Sequence, residues 1–182
     1  MPRIPLPTPE TMDAAQRRVY DAMLSGPRKS APVGPLAVAM HRPDLAEAMS
    51  ALGLVLRFNS SFELRLREFA ILTCGRFWEW ASHEIEARKA GLSETSIATL
   101  KSGGSRFAQA DEQVLFDYAT ELLSRKFASD ATYARARDLL GVPGVVELTG
   151  LVGYYAMVAL MLNAAMIEVP PGMPSLPPRS AS

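Results

Sequence analysis

Apolar residues recur along the chain with the three-to-four-residue period of helices that turn one face to a core. No stretch of useful length alternates apolar and polar side chains as a half-buried strand does, and no internal repeat is visible. The opening, Pro2 to Pro9, is extended, and Thr8-Pro9 supplies an N-cap followed by a proline suited to a first helical turn. A helix is predicted from about Glu10 to Ser25, stopped by Gly26-Pro27, and Gly34-Pro35 marks a turn before the short apolar run Leu36 to Met40. Pro43 to Phe58 carries Leu45, Met49, Leu52, Val55 and Leu56 at helical spacing, with Asp44 in its first turn. Helical pattern resumes at Ser61 and continues to Ala90, where Gly91 stops it; Gly75 leaves open whether this is one helix or two. Ser93 caps a short helix ending near Gly103-Gly104, Asp111 opens a longer one to Arg125, and Ser129 or Asp130 caps another ending at Gly141. Pro143 begins an apolar helix to about Ile167, and five prolines from Pro170 to Pro178 make the tail extended or disordered. The pattern is that of an all-α chain: an arm at 1–9, a single helical domain over 10–168 and a proline-rich tail at 169–182.

Length and charge narrow the partners. A chain of 182 residues fits one core-forming domain. Its 19 Lys and Arg balance 19 Asp and Glu, so no broad basic surface favours nucleic acid or anionic lipid. Leu148 to Ile167 carries no formal charge and matches a bilayer crossing in length. It also holds Thr149, Gly150, Gly153, Tyr154, Tyr155 and Asn163, and its flanks are Glu147 and Glu168 without a Lys or Arg anchor. A buried core helix is expected there, not a membrane span. Cys74 is the lone cysteine and cannot form an internal disulfide, and Met1 to Pro5 lacks a signal-peptide pattern. Both point to the cytoplasm.

Candidate chemistry concentrates in Arg67 to Ala90, REFAILTCGRFWEWASHEIEARKA. On a continuous helix, at about 100° per residue, Glu79 lies one turn before His83 and Glu68 falls about 20° from Glu79, so the three share a face. A carboxylate beside an imidazole orients the ring and favours its charged form, which suits general acid/base work near neutral pH. The plainer alternative is a surface Glu79–His83 pair at helical spacing, with Trp78 and Trp80 filling core or an interface. If Gly75 breaks the helix, Glu68 must reach the site from a separate element. Cys74 falls about 180° from His83 on the same wheel, in an apolar stretch, and reads as core more readily than as a nucleophile. No metal site is expected: Ala87, followed by Arg88, stands where H-E-x-x-H would need its second histidine, and Trp80 stands three residues before His83 where a di-iron bundle would need glutamate. His41, before Arg42-Pro43, reads as a turn histidine. In the last helix the tyrosines either pack with their hydroxyls on a carbonyl or water, or one of them lines a cavity below His83.

The phrases REFAIL, WEWASHEIEARKAGLS and VVELTGLVGYYAMVALMLNA together resemble the carboxymuconolactone decarboxylase family, whose helical fold is shared with AhpD-type alkylhydroperoxidases; the likeness spans roughly Leu45 to Ile167. The resemblance implies an all-helical subunit assembling as a trimer, hexamer or related ring, with active sites near subunit contacts. In the peroxidase branch a Cys-x-x-Cys pair precedes the histidine; here the matching positions are Arg76 and Glu79, and a glutamate cannot take part in that disulfide cycle. The decarboxylase-like branch needs no thiol pair. Glu68 and His83 match its site positions, and Glu79 matches the carboxylate of its W/Y-E-W phrase. The resemblance thus implies a lyase doing thiol-independent decarboxylation or isomerisation on a small lactone or carboxylic acid, without a cofactor. His83, Glu68 and Glu79 would move protons, and Arg76, Trp78, Trp80 and Tyr154 would hold substrate. The competing readings are a peroxidase-related oxidoreductase using Cys74 and a non-catalytic binding member of the same family.

Overall fold

The computed structural model describes residues 2–75 and 77–176, apart from the side chain of Phe77. Among these residues there are eight α-helices and no strand, so the all-α expectation holds. Contacts divide the chain into two compact units: Met1–Ser60 with Met157–Glu168, and Ser61–Ala156 with the tail from Val169.

The first unit holds α1 (Ala14–Ser25), α2 (Pro35–Ala39) and α3 (Pro43–Phe58), with α3 packed on the other two. The bounds of α3 are those the apolar spacing predicts. α1 begins four residues later than the pattern from Glu10 suggests, because Thr8 and Pro9 form a turn closed by the Thr11 N–H on the Thr8 carbonyl (2.9 Å). Asp13 takes over the capping: its Oδ1 accepts from the Gln16 N–H at 2.8 Å while Gln16 Oε1 accepts from the Asp13 N–H at 3.0 Å. Val19, Met23, Leu36, Met40, Met49 and Leu56 form the core of this unit. The arm is tied down, its Arg3 N–H donating to the Ala165 carbonyl at 2.8 Å and the Pro5 carbonyl lying 2.7 Å from His41 Nε2. His41 sits in the turn after α2, as its place before Arg42-Pro43 suggests.

The second unit holds α4 (Leu64–Cys74), α5 (Phe77–Lys89), α6 (Glu94–Lys101), α7 (Ala110–Arg125) and most of α8 (Asp130–Ala165). α4 is central, packing on α5 and α7, and Phe69, Ile71, Trp80, Leu115, Leu148 and Leu151 are fully buried or nearly so. A polar clamp ties three helices together. Arg65 of α4 donates to Glu112 of α7 at 2.7 Å, and Ser96 of α6 donates to the other oxygen of that buried carboxylate at 2.6 Å. Ser93 caps α6 through the Ser96 N–H, as the sequence predicts.

The boundary expected at Gly141 is a kink inside α8, where Gly141 alone departs from helical geometry at φ 67° and Pro143 follows within the next turn. This is one helix long and apolar enough to cross a membrane by composition, and half of its most apolar window is buried. Leu148, Leu151, Val152, Tyr155, Val158 and Leu162 recur at helical spacing on its buried face, whereas Val146 and Leu160 are exposed.

Candidate active site

Gly75 settles the geometry of the motif region. Its extended backbone (φ −68°, ψ 152°) ends α4, with the Gly75 N–H on the Ile71 carbonyl at 2.7 Å, and α5 starts two residues later. A Cβ here would lie 3.1 Å from the Ile71 oxygen and 3.3 Å from Glu79 Cβ, so a bare backbone lets the first turn of α5 close against the end of α4. The continuous-helix alignment of Glu68 with Glu79 and His83 is therefore replaced by a contact between two helices.

That contact brings the acid and the base together. Glu68, on α4, and His83, on α5, are both buried, and Glu68 Oε2 lies 2.6 Å from His83 Nδ1. On the other side of the ring, Nε2 lies 3.2 Å from the hydroxyl of Tyr155 on α8, and the two rings meet edge to face with centroids 5.2 Å apart. With Glu68 ionised and the imidazole neutral, Nδ1–H donates to the carboxylate and Nε2 accepts from the tyrosine O–H. Protonation of the ring reverses the second bond, so that Nε2–H donates to the phenol oxygen. Both states keep every ring nitrogen satisfied, which lets a buried imidazole change its protonation without losing a partner.

A cavity of about 110 Å³ adjoins this chain, lined by Leu64, Arg67, Glu68, Glu86, Lys89 and Ala90. Glu68 is the member shared by the cavity and the hydrogen-bonded chain, and the imidazole stands behind it. Arg67 Nη2 lies 3.4 Å from Glu68 Oε1, and Lys89 pairs with Glu86 at 2.8 Å, so the rim carries two cations and two carboxylates.

The other expected site residues have distinct places. Glu79 is buried in the first turn of α5, one turn before His83. Trp80 is core, and its indole N–H donates to the buried carboxylate of Glu84, which also takes Arg88 at 2.8 Å and Lys101 at 3.3 Å. Burial alone would push the Glu84 carboxyl up; the Trp80 N–H, Arg88 and Lys101 outweigh it and hold the group below its ordinary value. Trp78 is half-buried. Arg76 lies outside the described residues. Tyr154 stacks edge-on against Tyr155 at 5.4 Å, and it is Tyr155 whose hydroxyl meets the imidazole. Tyr154 and Tyr155 stand three and four residues after Leu151, so helical spacing places both on the apolar face and does not by itself single out Tyr155.

Cys74 is buried, and burial pushes its thiol up to about 12. Among the described residues no group of three or more His, Cys, Asp or Glu side chains is arranged to hold a metal ion. No protein-family model matches the chain and no curated protein matches it, so the likeness to the decarboxylases rests on the quoted phrases alone.

Proposed function

We propose that this chain is an acid/base enzyme of carboxymuconolactone decarboxylase type, acting on a small lactone or carboxylic acid without a thiol. The observation that carries the reading is the buried chain Glu68–His83–Tyr155, with contacts of 2.6 and 3.2 Å, ending at a cavity that Glu68 lines. Loss of carbon dioxide from a lactone acid leaves an electron pair that must take up a proton at carbon, and isomerisation needs a proton removed and returned. Glu68 is the group that meets substrate in this scheme: the protonated ring of His83 passes its Nδ1 proton to the carboxylate, and Glu68 delivers it to carbon. The neutral ring is held by the Tyr155 O–H, and in decarboxylation the spent proton is replaced from solvent before the next turnover. Excluding water from the relay preserves the strength of each hydrogen bond during transfer. Glu79 and Arg76 complete the set by resemblance, Arg76 as the carboxylate partner.

Homo-oligomeric assembly, as a trimer or hexamer, in the cytoplasm belongs to the same proposal, and the exposed Val142 and Val146 offer apolar surface for it. The peroxidase alternative loses ground on the surroundings of Cys74, since a thiol displaced to about 12 is almost wholly protonated at neutral pH. The test is turnover of a panel of lactones, carboxylic acids and hydroperoxides by wild type, His83→Ala and Glu68→Gln proteins. Turnover of a lactone or acid that falls at least a hundredfold in both variants is expected. Wild type and variants equally inert across the panel, or hydroperoxide turnover abolished by alkylating Cys74, would overturn the proposal.

A further inference from the structure

α3 has two apolar faces, and its own unit uses one of them. Ala46, Met49, Gly53 and Leu56 are buried on that side. A separate arc carries Leu45, Ala48, Ala51, Leu52, Val55 and Phe58, all exposed, with Leu45 at 43 %, Leu52 at 45 %, Val55 at 53 % and Phe58 at 62 %. At about 100° per residue these six fall within roughly 140° of the helix circumference. Arg57 is the one charged residue from Ala48 to Phe58, and helical spacing places it on the opposite side. The outward face of a surface helix is ordinarily polar, and an apolar one is covered by something.

Its size and its edges indicate what covers it. The six side chains expose on the order of 500 Å² of apolar surface, the level of the largest patch on an ordinary monomer. Buried against an equal patch, it removes on the order of 1,000 Å² from water, which is where specific protein interfaces begin, before any rim is counted. The rim at the N-terminal end of α3 is polar: Arg18 pairs with Glu47 through two bonds of 3.1 Å each, and Arg42 pairs with Asp44 at 2.9 Å. Each of these arginines has its carboxylate, so this end lacks the excess of positive charge with which helices lie on anionic lipid.

We propose that the outward face of α3 is the contact face for a second copy of this chain, the two helices running antiparallel about a two-fold axis between Ala51 and Leu52. The apolar run from Leu45 to Phe58 is centred there, so a two-fold axis at that point lays the run on itself. Val55 of one copy then seats on Ala48 of the other, a large side chain against a small one at the closest approach, and Leu52 meets its own copy beside the axis. The Arg18–Glu47 and Arg42–Asp44 pairs fall at both ends of the contact, a polar rim around an apolar centre. A parallel pairing would rim one end only. This face gives the homo-oligomer proposed above a definite contact, as a dimer or as the joint between two trimers, and it does not rest on the acid/base reading of Glu68.

The experiment measures the solution mass of the full chain by light scattering behind a sizing column, for wild type, Leu52→Glu/Val55→Glu and Glu68→Gln. Wild type is expected to hold an even number of copies, and the double variant half that number with an unchanged helical circular dichroism spectrum. Glu68→Gln should keep the wild-type mass, so an inert enzyme with an intact two-fold pairing sinks the acid/base reading alone. The register is read by oxidising cysteine variants, with the buried Cys74 as a silent background. Ala48→Cys/Val55→Cys should form a covalent dimer, whereas Ala48→Cys and Val55→Cys singly should not, because antiparallel copies of either position lie about 10 Å apart along the helix. A wild-type chain that is monomeric or odd-numbered, a folded Leu52→Glu/Val55→Glu protein of undiminished mass, a single cysteine variant that crosslinks to itself, or a monomer that sediments with phosphatidylcholine vesicles would overturn the proposal.

Discussion

Replacing Glu68 by glutamine keeps the size of the side chain and removes its charge, which isolates what the carboxylate does. In the native arrangement one oxygen lies 2.6 Å from His83 Nδ1 and the other 3.4 Å from Arg67 Nη2, with the side chain 3 % exposed. A glutamine can turn its carbonyl oxygen to the imidazole N–H, but its amide then points toward the arginine, and two donors face each other. A hydrogen bond to a charged group is worth about 1.5–3 kcal/mol and a neutral one about 0.5–1.5, so the exchange costs about 1–2 kcal/mol. For a chain of this size that lowers the melting temperature by about 2–8 °C, leaving the protein folded at 25 °C. The loss in turnover is larger, about 100- to 10,000-fold, because the group that gives or takes the proton is gone. Calorimetry and turnover on the same preparation separate the two effects. A folded Glu68→Gln protein that retains turnover within threefold of wild type would refute the assignment of Glu68 as the group that meets substrate.

Four further outcomes follow from the packing. Tyr155→Phe removes the hydroxyl at His83 Nε2 and leaves a buried nitrogen without that partner, costing about 1–3 kcal/mol in urea unfolding and about tenfold in turnover, with an altered pH profile. The native Cys74 thiol, displaced from 9.0 to about 12, holds about 1,000-fold less thiolate at neutral pH and should stay unalkylated by iodoacetamide until the protein is denatured; fast labelling of folded protein contradicts that. Glu112→Ala removes the buried carboxylate shared by Arg65 and Ser96 but leaves Arg65 paired with Asp111, and should destabilise the fold by about 1–3 kcal/mol in chemical denaturation; an unchanged unfolding midpoint contradicts the clamp. The Glu84 carboxyl is held below its ordinary value of 4.5, so its contribution is complete above that pH and is lost as the pH falls through the lowered folded value. The stability gap between wild type and Glu84→Gln should therefore be full at pH 7 and shrink only below about 4.5; a gap that widens on acidification reverses the sign.

Helix positions were legible where local signals suffice. Pro43 at the first turn and the apolar spacing to Leu56 define α3 without tertiary help, and Ser93 announces α6 as a cap. α1 shows the limit of such signals. Thr8-Pro9 and Asp13 are both competent starts, and Gln16 decides between them by answering Asp13 across three residues. Gly75 marked a possible break, but only three dimensions show that the break brings Glu68 to His83 by a different route from the one a continuous helix offers. Choosing Tyr155 over Tyr154 needs the rotational phase of α8, which the kink at Gly141 resets and packing of Leu148 and Leu151 then fixes. The Arg65–Glu112–Ser96 clamp has no local signature at all, because its members lie on three helices and its bonds join residues 47 and 16 positions apart.

The proposed chemistry depends most on one ring held between a carboxylate and a phenol. The chain contains only two histidines, so ¹⁵N spectra of the imidazoles can be assigned with a His41→Gln variant. In its neutral form the His83 ring should show a single tautomer, protonated at Nδ1 with Nε2 as the hydrogen-bond acceptor, and Glu68→Gln or Tyr155→Phe should perturb that pattern. A ring that averages both tautomers as a solvated imidazole does, unchanged by either substitution, would contradict it.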